Sequence, residues 1–157
     1  MYKPTLYLET TCFNFYILEK PGTKRDDTRK LFALIKGGQY EAFTSSVVED
    51  EIADDTPERY KKMKALIDEY HIKMLLRDSK ADALAALYID KGIVPAKYDD
   101  DAIHIALATV NRLDFVVSYN MGHIVKTKTM IGTGFVNLRA GYKMIGLSTP
   151  TEVIDYD

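Results

Sequence analysis

The residues best placed to do chemistry in this 157-residue chain are carboxylates that follow strands or open helices. Glu9 comes directly after the apolar run Leu6-Tyr7-Leu8. Taken alone, it is accounted for by the positive N-terminus of the helix that follows. Ser46-Val47-Val48-Glu49 reads as a capping box, with Ser46 as N-cap and Glu49 at the third helical position. Glu51 has no such assignment. It lies roughly 200° around the helix from Glu49 and faces either solvent or a cleft. Asp99-Asp100-Asp101 opens the most apolar helix, where one aspartate suffices as a cap. Asp101 shares a helical row with Ile105 and Ala108, and an acid on an inward-leaning row is costly unless paired or bound to a cation. Asp101 is therefore read as functional, and Asp99 and Asp100 as complements of the helix dipole.

Oxygen ligands without a histidine or cysteine quorum suit a hard cation such as Mg²⁺ or Mn²⁺. Such an ion activates water and offsets charge on a phosphodiester under in-line attack. A polyanionic substrate also needs cations nearby. Between Asp114 and Glu152 there is no acid, while Lys126, Lys128, Arg139 and Lys143 fall there; Glu49–Glu58 holds six acids and no base. A basic segment beside an acidic cleft is what contact with a nucleic-acid backbone requires. Other chemistries lack their motifs. There is no GxGxxG, no GxxxxGK[ST] and no GxSxG, and His71, His104 and His123 have no zinc spacing. Cys12 lies among aromatic residues and reads as core.

These residues need elements to hold them. Thr5–Leu8 and Phe115–Ser118 read as the clearest strands, with Tyr40–Thr44 and His71–Leu76 as further ones. Helices are expected after Thr10-Thr11, from Asp26 or Asp27 to Gly37-Gly38, after Ser45-Ser46, from Thr56-Pro57, over Ser79–Lys91 and over Asp99–Asn111. The tail, Phe135–Leu147, reads as a short helix or turn near Arg139–Gly141 and a strand at Lys143–Leu147. Short apolar strands separated by helices predict a three-layer α/β/α sandwich with a central, mainly parallel sheet. Ligands in such sheets bind beyond the carboxyl ends of strands, where Glu9, the Ser45–Glu51 stretch and Asn120 fall.

Length predicts a single domain over 1–157, and a net charge of −2 excludes binding to nucleic acid or membrane by bulk positive charge. One cysteine excludes a disulfide scaffold and fits a reducing cytoplasm. No apolar run approaches the ~20 residues that span a bilayer, and Met1-Tyr2-Lys3-Pro4 has no signal-peptide architecture.

Four segments in order resemble the PIN-domain family of metal-dependent ribonucleases, which includes the VapC-type toxins of bacterial toxin–antitoxin pairs. They are Leu6-Tyr7-Leu8-Glu9-Thr10-Thr11, Thr44-Ser45-Ser46 leading to Glu51-Ile52, Asp101-Ala102-Ile103-His104-Ile105-Ala106, and Asp114-Phe115-Val116-Val117-Ser118-Tyr119-Asn120. Asn14 and Gly141-Tyr142 fit the same subgroup. By motif, the resemblance carries the family's catalytic acids onto Glu9, Glu51, Asp101 and Asn120, with Glu9, Glu51 and Asp101 as ligands of Mg²⁺ or Mn²⁺. Thr11 matches the hydroxyl that supports the first acid. Two positions depart from the pattern: Glu9 replaces an aspartate, and Asn120 replaces the fourth acid, leaving a neutral amide that positions water or metal.

The resemblance implies an endoribonuclease that hydrolyses RNA phosphodiester bonds, the toxin of a type II pair, with a cognate antitoxin and a homodimer. Lys126, Lys128 and Arg139 are the candidates for RNA backbone contact. The two departures motivate an alternative, a PIN-like module that binds RNA or protein without hydrolysis. His104 and His123 either orient a ligand or serve structure, and Asp114 reads as a turn residue.

Overall fold

A computed structural model describes residues 2–156. Five short strands, β1 (Thr5–Leu8), β2 (Glu41–Ser45), β3 (Lys73–Leu75), β4 (Phe115–Val117) and β5 (Gly146–Ser148), form a wholly parallel sheet in the order β3-β2-β1-β4-β5. Tyr7 pairs with Phe43 of β2 on one side and Val116 of β4 on the other. Among the described residues the α-helices are α1 (Thr10–Ile17), α2 (Thr23–Lys36), α3 (Ser46–Ala53), α4 (Pro57–Glu69), α5 (Ser79–Asp90), α6 (Asp99–Val110), α7 (Thr127–Arg139) and α8 (Pro150–Tyr156). The chain steps outward from β1 to β3, then returns to pair β4 against the other side of β1. Right-handed crossovers therefore place α1–α4 on one face and α5–α7 on the other. The contacts agree: α1 meets α2, α3 and α4, while α5 meets α6 and α7.

β1 is central because it is apolar on both faces. Leu6, Tyr7 and Leu8 are all fully buried, together with Val116, Val117, Phe13, Phe32, Ile105 and Leu107. Each such Leu or Phe contributes about 1.5–3 kcal/mol of burial. The strand order reverses between β1 and β4, so the crevice at their carboxyl ends is the switch point where such sheets bind ligands.

Most expected elements are present within a few residues, and the differences have physical causes. Ser45, not Ser46, caps α3: its hydroxyl accepts from Val48 N at 3.3 Å. Ser46 instead accepts from Arg77 N, and Glu49 pairs with Lys64 at 3.1 Å, so the expected capping box does not form. None of the three aspartates caps α6, which starts at Asp99 itself after Tyr98. They occupy its first turn, where the dipole favours them. α2 begins at Thr23, ahead of the expected Asp26, and Asp27 lies buried, accepting from Thr151 of α8 at 2.6 Å.

The tail departs most. The expected turn near Arg139 is the end of a 13-residue helix, α7; β5 is displaced to Gly146–Ser148, and α8 follows it. α7 carries two glycines and three threonines, which are poor helix formers. Its buried face is polar, holding Thr129, Thr133 and Asn137 at helical spacing, while Ile131, Phe135 and Leu138 point outward. A pattern reading that places apolar residues inward therefore misses it.

Candidate metal centre at the carboxyl edge of the sheet

Glu9 leaves β1 and becomes the N-cap of α1, so it does serve that helix as well. It is only 4% exposed. One carboxylate oxygen, Oε1, accepts from Thr11 N at 3.0 Å, Thr11 Oγ1 at 2.6 Å and Ser118 Oγ at 2.7 Å. Thr11 Oγ1 in turn accepts from Tyr119 N at 2.8 Å, which ties the end of β4 to the start of α1. Three donors on one oxygen fix the side chain and turn the other oxygen away from them.

Glu51 stands on α3 with both oxygens engaged. Oε1 meets His104 Nε2 at 2.6 Å, and Oε2 accepts from Thr10 Oγ1 at 2.9 Å. His104 of α6 is 1% exposed, and its Nδ1 lies 2.7 Å from Tyr7 Oη, which lies 2.7 Å from Ser45 Oγ. A single chain of hydrogen bonds thus runs Ser45–Tyr7–His104–Glu51–Thr10 and joins β2, β1, α6, α3 and α1. Burial alone would lower the His104 pKa, but the hydrogen bond to Glu51 and the charges of Glu9, Glu51 and Asp101 together outweigh it and raise it. Burial would likewise raise Glu51, yet the bonds from His104 and Thr10 hold it below the ordinary carboxylate value.

Asp101 lies in the first turn of α6, where its Oδ1 accepts from Asn120 Nδ2 at 3.2 Å. The Asn120 carbonyl oxygen accepts from His123 N at 3.1 Å, which sets the amide so that its N–H₂ faces the acid. Asn120 acts here by orienting Asp101. Burial chiefly raises the Asp101 pKa, and the Glu9 charge adds to it. His123 stacks on Tyr98 at 3.8 Å and walls the same side.

Glu9, Glu51 and His104 each offer a ligand atom within 4.8 Å of the others. Among the described residues no lysine or arginine forms an ion pair with Glu9, Glu51, Asp100 or Asp101. Glu9 Oε2 and Asp101 Oδ2 accept no hydrogen bond there either. Among the described residues no fully buried side-chain oxygen lacks a partner, so these two oxygens keep some exposure. Among the described residues the one basic partner of these acids is the His104 imidazole on Glu51, and acids with no lysine or arginine paired to them are a donor set suited to a hard divalent cation.

The basic stretch is divided by α7. Lys126 and Lys128 stand at the start of that helix, just past a turn closed by Val125 N bonding to Asn120 O. Arg139 lies at the other end, about 18 Å along the helix axis from the first turn. Lys143 pairs with Asp114 at 2.8 Å on the amino edge of the sheet. Only the first part of the acid-free segment therefore abuts the acids. The sequence did not single out Tyr7, Thr10 or Ser118, since hydroxyls next to strands are common and only the fold brings these onto the acids. Cys12 is buried, its thiol donating to Val117 O at 3.2 Å and pushed up in pKa by burial, in keeping with a core residue.

Compared by sequence, the chain matches no family model and no curated protein. Solved structures are similar to it in shape. One is VapBC2 from Rickettsia felis bound to a DNA fragment from its promoter, at a TM-score of 0.57 and 14% identity, covering 92% of this chain and 98% of that one. Another is DNA-bound VapBC from Salmonella typhimurium, at 0.57 and 17%, covering 94% and 98%. The fold is PIN-like. The parallel sheet and the helices on both faces are those that the sequence led us to expect. Among the described residues no helix is long and apolar enough to cross a membrane.

Proposed function

We propose that this chain is a metal-dependent endoribonuclease in which Glu9, Glu51 and Asp101 hold Mg²⁺ or Mn²⁺. The observation that carries the proposal is the grouping of Glu9 and Glu51 with His104 within 4.8 Å at the switch point, with no lysine or arginine paired to either acid among the described residues. A bound divalent ion supplies Lewis acidity, lowering the pKa of water and offsetting charge on a phosphodiester. The protein's part is placement. Thr11 and Ser118 aim Glu9, Asn120 aims Asp101, and His104 with Thr10 holds Glu51. Lys126 and Lys128, at the start of α7, would meet the RNA backbone, where charge rather than base identity is recognised. Arg139 stands too far along α7 to share that contact with them.

We further read the chain as the toxin of a type II toxin–antitoxin pair, acting in the cytoplasm as a homodimer restrained by a cognate antitoxin. The similarity to chains from two VapBC complexes supports this reading. The experiment is cleavage of a labelled single-stranded RNA in Mn²⁺ and in Mg²⁺, with Glu9→Gln and Asp101→Asn as controls. Cleavage that persists unchanged in both variants sinks the metal assignment. Growth arrest on expression of the wild type, relieved by Asp101→Asn and by the antitoxin, tests the toxin reading.

One observation favours the second reading, an RNA- or protein-binding module without hydrolysis. Both Glu51 oxygens are already taken by His104 and Thr10. RNA binding with no cleavage, and no rise in Tm with Mn²⁺, selects that reading.

A further inference from the structure

α7 is built inside out, with polar residues turned inward and apolar ones outward. Its polar stripe faces the protein and is fully satisfied there. Thr133 Oγ1 donates to Thr129 O at 2.8 Å, Asn137 Nδ2 donates to Thr109 Oγ1 at 3.3 Å, and Tyr88 donates to Asn137 Oδ1. The apolar stripe faces solvent: Ile131 is 63% exposed, Phe135 62% and Leu138 60%. Leu87 of α5 and Met144, just beyond α7, are exposed as well. Single exposed apolar residues are ordinary, but contiguous ones mark an interaction site. A Cβ on Gly132 would meet Ile93 Cγ1 at 2.8 Å, so this glycine lets α7 lie close against the segment after α5. Between α5 and α7 runs a groove of about 650 Å³ with Ile131 and Phe135 on one wall and Leu87 and Ile93 on the other.

Charge says what fits it. Lys91 and Arg139 line the groove, and no carboxylate does. Arg139 is poised over the Phe135 ring at 5.6 Å, and among the described residues neither cation forms an ion pair. Lys143, close by in sequence, does pair, with Asp114. The groove thus joins an apolar floor to unneutralised cations. A second copy of this chain would bring the same two cations against their equals across a two-fold axis, which is unfavourable. RNA would satisfy the cations but leave the aliphatic floor against water.

We propose that the α5–α7 groove docks a helical segment of another protein, one with an apolar stripe flanked by carboxylates. The groove is built by α5 and α7 alone, and the proposal does not depend on the nuclease reading.

The test uses the full chain and two labelled amphipathic peptides. Both carry leucines at i, i+4, i+7 and i+11; one has glutamates on the flanks, its twin lysines. Anisotropy is expected to show the glutamate peptide binding at least about tenfold more tightly. The double variant Lys91→Glu/Arg139→Glu reverses that preference, and Phe135→Ser weakens both peptides without lowering Tm. Equal binding of the two peptides, or no binding of either, overturns the proposal. So does a dimer, seen by light scattering, that Phe135→Ser dissociates, which would assign the face to a second copy. Binding of a labelled single-stranded RNA that Phe135→Ser abolishes would assign it to nucleic acid and overturn the proposal equally.

Discussion

Acids stand at both ends of the central strand pair, and they are treated in opposite ways. At the amino end Asp114 precedes β4 and collects every donor in reach: Lys143 Nζ at 2.8 Å, Thr5 N at 2.9 Å, Thr5 Oγ1 at 3.0 Å, and the Tyr2 hydroxyl. Burial would raise its pKa, yet these partners outweigh burial and hold it at about 2. At the carboxyl end Glu9 and Glu51 offer ligand atoms within 4.8 Å of each other and of His104, while Asp101, in the first turn of α6, feels the Glu9 charge; among the described residues no lysine or arginine pairs with any of the three acids, and burial leads in raising Asp101. A carboxylate at a strand end is thus no signal in itself. The two ends differ in whether the protein pairs its acids with lysine or arginine, and on the proposed function it is the acids left without such a pair that do chemistry.

The sharpest way to break that comparison is to neutralise one acid at each end. Asp101→Asn or Glu51→Gln is expected to cut Mn²⁺-dependent RNA cleavage by more than about 100-fold, beyond the 10–100-fold that supporting residues cost. Asp114→Asn is expected to leave the cleavage rate within about twofold, since it touches only the amino edge. Gel-resolved cleavage rates at saturating Mn²⁺ decide it. An equal loss in Asp114→Asn would remove the distinction between the two ends.

The next effect sharpens the role of the buried chain behind the cleft. Tyr7→Phe deletes the hydroxyl between Ser45 and His104 while keeping the ring. It should lower kcat by about 10–100-fold with KM for RNA little changed, as expected for a group that orients a metal-holding acid. A variant that merely loosened the core would change Tm without this split.

Stability should move in opposite directions at the two ends. Asp114→Asn removes the ion pair to Lys143, itself about half exposed, and is expected to cost about 1–2 kcal/mol after solvent screening. That is a fall in Tm of roughly 2–8 °C in a domain of this size. Asp101→Asn without metal removes an acid that the fold disfavours and keeps an oxygen for the Asn120 amide to bond. Its Tm should rise by about 2–4 °C. Scanning calorimetry without divalent ions measures both, and a fall in both variants would contradict the comparison.

Much of this was legible in the sequence, and the remainder was hidden for identifiable reasons. β1, α4, α5 and α6 read well because apolar period and breakers agreed, with Thr56 and Pro57 starting α4 as expected, although the aspartates expected to cap α6 lie within its first turn. The strand-end positions of Glu9 and Asn120 followed from the parallel pattern. α7 did not read, because its inward face is Thr129, Thr133 and Asn137, and its stability rests on their bonds to α5 and α6. The Ser45–Tyr7–His104–Glu51–Thr10 chain could not be read either. Its links join residues up to 97 positions apart, and only the register of β1 beside β2 and β4 brings them together. His104 sits one helical turn from Asp101, but spacing alone does not say which acid an imidazole will meet.

The smallest effect concerns acid, and there the two ends should again oppose each other. Asp114 has a pKa of about 2 in the fold against 3.8 for the free group, so as pH falls the unfolded chain takes up its proton first. The stability it contributes is present above about pH 4 and lost between about pH 4 and 2, roughly 1–2 kcal/mol once screening is allowed for. Asp101 is raised above 3.8 in the fold, so the native state takes up that proton first. Protonation there relieves a cost as pH falls from its folded value towards 3.8. Urea midpoints from pH 6 to 2 in the absence of divalent ions should therefore fall less steeply in Asp114→Asn than in the wild type. They should fall more steeply in Asp101→Asn, because the relief is gone. Parallel curves for the three proteins would mean that the two ends do not differ in how they hold their charge.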